Sequence, residues 1–207
     1  MAAGFVGIEA ALMLSDLGVL QQGLRFRAYR AFAFFDIYFE AWLSGQTPPA
    51  QFWYSFVTHA FLHGGLLHLG MNTAVFLALG THMTRAVGEA RMVGLFVGSA
   101  VAGALAFGLI ADTGQHFVPM VGASGAIFGF LGAMKRWEWR YVNAHQLPQR
   151  RFWTTIGVFA AINVVISVGM GGGGGGVAWE AHLGGFLAGW AAAGFMQPRR
   201  GYGIGPV

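Results

Sequence analysis

The sequence predicts an all-α membrane protein, a bundle of six transmembrane helices, and three observations predict it. Hydrophobic residues make up 56% of the 207 positions and charged residues 10%, far below the roughly 25% charged of soluble chains. Six apolar runs stand between charged breaks, and six spans of about 20 residues would use on the order of 120 positions and leave the rest for connections. Glycine supplies 34 residues, well above its usual share of about 7%, and small residues let apolar helices pack backbone to backbone. One polytopic domain over residues 1–207 fits this arithmetic, and a second domain does not. The composition excludes a soluble enzyme, a disordered chain and a single-anchor receptor.

The spans are expected near 4–20, 61–81, 92–111, 122–134, 152–169 and 180–196. The first, Gly4 to Leu20, lacks a basic leading region and a small-residue cleavage site, so it reads as a retained span interrupted by Glu9 and Asp16. The fourth is short for a crossing, so it is expected to begin inside the membrane depth after an irregular segment, Gly114 to Val121. Between the first two spans, Leu24 to Thr58 mixes Arg27, Tyr29, Phe32, Phe34, Phe35, Tyr38 and Trp42. It reads equally as an interfacial amphipathic helix or an aromatic belt. The Gly171 to Gly176 run reads as a flexible loop between spans five and six.

An even number of spans places Arg85, Arg91, Lys135, Arg136, Arg140, Arg150, Arg151, Arg199 and Arg200 on one side with both termini, against Arg25, Arg27 and Arg30 on the other. The positive-inside rule then makes the termini cytoplasmic. Topology also accounts for the net charge of +4, since no basic block stands in a polar context; the bilayer is the expected partner, and nucleic acid is not. With no cysteine in the chain, disulfides, thiolate metal sites and cysteine nucleophiles are excluded.

Polar groups inside spans are expensive and need partners or a function. Spans two, four and six run in the same direction, so His68, Asn72, Ser124 and His182 share one membrane level. Ser124 opens a helix between Gly122 and Gly125, where free amides and the positive dipole end favour an oxyanion. The plainer reading is a packing serine, and Ala126 in place of glycine excludes the soluble hydrolase elbow. His182, Gly185 and Gly189 lie on one helix face, and Gly125, Gly129 and Gly132 have matching spacing. Docked glycine faces would bring the serine hydroxyl within reach of the imidazole. Ala193 is expected near the far end of that span, away from the contact. His68 and Asn72, four apart, share a face and can donate to an oxyanion or staple two helices. His59 and His63 also stand four apart, but Ala60 replaces the glutamate of a metalloprotease pattern. Acids are few, Asp112 and Glu180 being the loop candidates, so the reading is a serine and histidine dyad with no acid, no metal and no cofactor.

At these residues the sequence resembles the rhomboid family of intramembrane serine proteases, from about Thr58 to Gly189. Gly122-Ala-Ser-Gly125 is similar to the family's nucleophile motif, and Ala181-His-Leu-Gly-Gly185 followed by Gly189 to that of its base. The resemblance assigns His68 and Asn72 to the oxyanion and places Phe128 where an aromatic ring stacks on the catalytic histidine. It departs at Trp53-Tyr54-Ser55, where a Trp-Arg pair is common, and around Met83-Thr84, where a glutamate is usual. The resemblance implies cleavage of single-pass transmembrane substrates in a bacterial plasma membrane, with the site opening outward. Water would enter through a polar cleft lined by His63 and His68, and substrate past span five and the 171–176 loop. A proteolytically inactive rhomboid-like binding or quality-control factor is the alternative, against which the retained serine and histidine argue. A small transporter is disfavoured because the two halves show no matching repeat.

Overall fold

The computed structural model of the chain describes residues 1–111, 118–169 and 177–199, with side chains there except at 166–169. The 171–176 run, Asp112 and Arg200 lie outside the described residues. Among the described residues the regular structure is helical: α1 (Ala2–Asp16), α2 (Leu24–Phe32), α3 (Asp36–Leu43), α4 (Gln51–Thr58) running into a 3-10 turn (His59–Phe61), α5 (Leu66–Val87), α6 (Glu89–Ile110), α7 (Ser124–Ala144), α8 (Arg150–Gly169) and α9 (Trp179–Ala192).

The three-helix wedge of α6, α7 and α9 is the most closely packed region, and small residues make it so. A Cβ on Gly185 would overlap the Gly125 carbonyl, one on Gly189 the Gly129 carbonyl, and one on Gly132 the Phe186 carbonyl. The expected glycine faces of α7 and α9 are therefore in backbone contact, with dispersion and not side-chain interdigitation holding the seam. On its other flank α9 meets α6: a Cβ on Gly103 would stand 2.9 Å from the Ala181 carbonyl oxygen, and one on Gly184 would stand 2.5 Å from that of Ala102. Ala193, expected near the far end of the span, caps α9 and is fully buried in the main apolar core with Met83, Ala86, Phe130 and Trp137. The chain turns inward past the end of α9, where Trp137 Nε1 donates to the Met196 carbonyl at 2.9 Å.

Several element boundaries differ from the sequence expectation. α1 stops at Asp16, and Gly18 follows in the left-handed region at φ 76°. Its acids are partnered, because Arg25 of α2 binds Glu9 at 2.9 Å and Asp16 at 2.7 Å. The second span breaks at Leu62 to Gly65, and the helices flanking the break are bent by 80°. α7 is not short: its 21 residues carry Lys135, Arg136, Glu138 and Arg140 beyond the apolar stretch. Lys135 pairs with Glu138 and Arg136 lies 5.3 Å from the Trp190 ring centre, so the helix continues through its charges. Residues 24–58 form neither one amphipathic helix nor a simple belt. Instead α2, α3 and α4 fold around Phe34, Phe39 and Phe52, which join Phe107 of α6 in a second apolar cluster.

α6 is by itself long and apolar enough to cross a membrane, and α4 to α5 passes only as a bent pair. α1 and α9 have 15 and 14 residues, and α7 is interrupted by charge. Bulky apolar side chains nevertheless face outward on several helices: Leu67 of α5 is 79% exposed, Leu109 of α6 66% and Val165 of α8 68%. Such a surface needs an apolar surrounding.

Candidate active site

α7 begins at Ser124, and its first amides have no acceptor within the helix. Two ties fix the approach to that start. Phe34 and Met120 exchange backbone hydrogen bonds of 3.2 and 2.8 Å, and Gly122 N donates to the His59 carbonyl at 3.0 Å. The aromatic-cored unit before α5 thus positions the serine from outside the wedge.

The glycine seam sets the other partner. His182, one turn before Gly185, brings Nε2 to 2.8 Å from Ser124 Oγ. Its ring stacks on Phe128 at 4.2 Å between centroids and 6° between planes. His182 Nδ1 contacts Asn163 Oδ1 of α8. Asn163 Nδ2 donates to the Phe159 carbonyl at 2.9 Å, which leaves Oδ1 as the acceptor facing the imidazole. His182 therefore carries its proton on Nδ1, and the Nε2 lone pair faces the serine hydroxyl. Sequence reasoning missed Asn163. Its signal was visible, since it is the one hydrogen-bonding side chain between Ile156 and Val165. Spacing alone could not say which helix it faces.

His68 and Asn72 converge on Gly122. That glycine has φ +118°, and a Cβ there would stand 2.7 Å from His68 Nε2 and 3.6 Å from Asn72 Nδ2. Glycine is required twice over, for the backbone and for the space the two side chains face. Gly64 N donates to His68 Nδ1 at 3.1 Å, so the neutral ring holds its proton on Nε2 and points a donor at that space. Asn72 Nδ2 gives one hydrogen to the His68 carbonyl at 3.1 Å and keeps another. The adjacent Ser124 amide adds a third donor at the helix start. The arrangement can take a proton from a hydroxyl on one side and receive a negatively charged oxygen on the other.

His63 differs from expectation. It is fully buried and lies 5.3 Å from the Phe5 ring and 5.3 Å from the His68 ring. The break before α5 turns it inward beneath α1. His59 is also buried, with Nδ1 2.8 Å from the Ser55 carbonyl. Among the described residues no group of three His, Asp or Glu side chains could hold a metal ion.

Residues 50–199 match the Rhomboid domain model. The chain is 31% identical over 150 residues to Rhomboid protease GluP of Bacillus subtilis, covering 72% of this chain and 27% of that protein. It is 33% identical over 145 residues to RHOMBOID-like protein 5 of Arabidopsis thaliana, covering 69% of this chain and 44% of that protein. It is also 33% identical over 84 residues to Rhomboid-type serine protease 2 of Emericella nidulans, covering 41% of this chain and 16% of that protein. The matched stretches span less than half the length of each of these relatives. The chain belongs to the rhomboid family, integral membrane proteins that include serine proteases.

Proposed function

We propose that this protein is an intramembrane serine endopeptidase that cleaves single-pass transmembrane proteins within or beside the bilayer. The observation that carries the reading is the 2.8 Å approach of His182 Nε2 to Ser124 Oγ with the imidazole oriented from both faces. His182 takes the hydroxyl proton while Ser124 Oγ attacks a substrate carbonyl carbon. The oxyanion is received by His68 Nε2–H, the Asn72 amide and the Ser124 amide. Collapse breaks the C–N bond, and His182 returns its proton to the departing amine. Water, deprotonated by His182, then hydrolyses the acyl-enzyme. Asn163 holds the Nδ1 proton throughout and so keeps His182 in the tautomer that can act as base. Gly122, Gly125, Gly185 and Gly189 support the geometry.

The same reading makes the chain one bundle of six spans in a bacterial plasma membrane, with cytoplasmic termini and the site near the outer face. The distribution of basic residues supports this orientation. Substrate enters past α8, whose outward face is apolar and whose contact with the base is made by side chains alone. The test is fluorophosphonate labelling of the detergent-solubilised protein, together with cleavage of tagged single-pass proteins on co-expression. Labelling and cleavage that both vanish in Ser124→Ala support the protease. A wild-type protein that neither labels nor cleaves would point to the inactive binding factor.

A further inference from the structure

Arg25 and Tyr29 lie on α2, before the residues that match the family domain. Arg25 Nη1 donates to the His63 carbonyl at 3.1 Å, and Tyr29 Oη donates to the same oxygen at 2.7 Å. The other end of that peptide unit is the Gly64 N–H, which donates to His68 Nδ1 at 3.1 Å. One amide group therefore joins a cation and a phenol on its carbonyl side to an imidazole on its nitrogen side. The two donors occupy both lone pairs and polarise the amide, and hydrogen bonds in such a chain strengthen one another.

The location makes the brace consequential. The peptide sits in the break between the 3-10 turn and α5, beside Gly64 and Gly65, with Gly65 at φ +118°. Glycines leave this peptide free to rotate unless something holds it. A rotated peptide would present a carbonyl to His68 Nδ1, draw the ring proton to that nitrogen and leave Nε2 without the hydrogen that faces Gly122. We infer that Arg25 and Tyr29 are positioning residues that act through the His63–Gly64 peptide to keep His68 an Nε2–H donor. This rests on the proposed oxyanion role of His68.

Both residues are themselves fixed. Arg25 contacts Glu9 Oε1 at 2.9 Å and Oε2 at 3.3 Å, and Glu9 is fully buried. Leu24 N donates to Ser15 Oγ at 3.2 Å, tying the start of α2 to α1. Burial pushes the Tyr29 phenol above its ordinary pKa, so it remains a protonated donor. Phe5, Glu9 and Arg25 thus join α1 and α2 to a site otherwise made by α5, α7, α8 and α9.

Tyr29→Phe removes one hydroxyl and leaves the ion pairs intact. In the full-length protein it should lower kcat about 5-fold with KM unchanged, the size expected for one lost hydrogen bond. In a His68→Ala background the same change should have no effect on kcat or on the rate of fluorophosphonate labelling. 15N spectra of histidine-labelled protein should show an Nε2-protonated His68 in the wild type and a growing share of the other tautomer in Tyr29→Phe. An equal loss in both His68 backgrounds, or an unchanged His68 tautomer, overturns the positioning role. Cleavage that persists in Ser124→Ala overturns instead the functional reading on which it rests.

Discussion

The two sides of α9 are built differently. Toward α6 and α7, α9 meets backbone: the Gly125, Gly129 and Ala102 carbonyls stand where side chains at Gly185, Gly189 and Gly184 would be. Toward α8 the same helix meets the tips of Asn163 and, through Phe128, Phe159, whose ring lies 6.5 Å from that of Phe128. Near its start α8 also sets Phe152 6.2 Å from the Trp190 ring of α9, and it presents Val158, Ile162, Val164 and Val165 outward. Backbone seams of this kind admit no gradual separation without losing many small contacts together. Side-chain tips can disengage singly. The wedge thus fixes where His182 is, while α8 decides which of its nitrogens holds the proton.

The largest effect should come from removing the groups that the wedge holds. Ser124→Ala and His182→Ala should each leave less than a few per cent of cleavage, with little change in Tm. Substantial turnover in either variant breaks the dyad. His68→Ala and Asn72→Ala should follow, lowering kcat about 10²- to 10³-fold per donor with smaller changes in KM. Effects on KM alone would make the pair a staple between helices.

Next comes the seam. Gly185→Val must push α9 from the Gly125 carbonyl, and a displacement of about 1 Å can cost about 10²-fold in rate. Cleavage and labelling should fall together. Gly98→Val is the control, because a Cβ at Gly98 of α6 meets nothing within 4 Å. Ala193 would be a poor control, being fully buried. If Gly185→Val matches Gly98→Val, the glycine seam does not place His182.

The smallest of these effects belongs to the α8 side. Asn163→Ala should lower kcat about 10-fold, leave Tm near wild type and leave Ser124 labelled slowly by fluorophosphonate. Asn163→Asp, which keeps an acceptor for Nδ1–H, should recover more activity than alanine. A loss in Asn163→Ala as deep as that of Gly185→Val would erase the distinction between the two sides of α9.

Much of the site was legible because its residue types are hard to place in apolar helices for any other reason. Ser124, His182, His68 and Asn72 stand out against their runs, and the glycines at 125, 129, 185 and 189 announce close approach by their helical spacing. In the fold His182 Nε2 stands 2.8 Å from Ser124 Oγ, and the Phe128 ring stacks on the imidazole. Asn163 was less legible, because a single polar residue in a span names no partner. His63, expected to line a polar cleft with His68, is buried because the break before α5 redirects that side chain under Phe5.

The sequence by itself determined the helical class, the apolar surface, the glycine faces and the candidate reacting groups, since each follows from residue type and local period. Tertiary structure alone decided the rest. The register of α5 relative to its break, the folding of residues 24–58 onto Phe107 and the burial of Ala193 all depend on contacts between residues far separated in the chain. So do the proton positions. A histidine's tautomer is set by the group that meets its other nitrogen, and here those groups are Asn163 on α8 for His182 and the His63–Gly64 peptide, braced by α2, for His68.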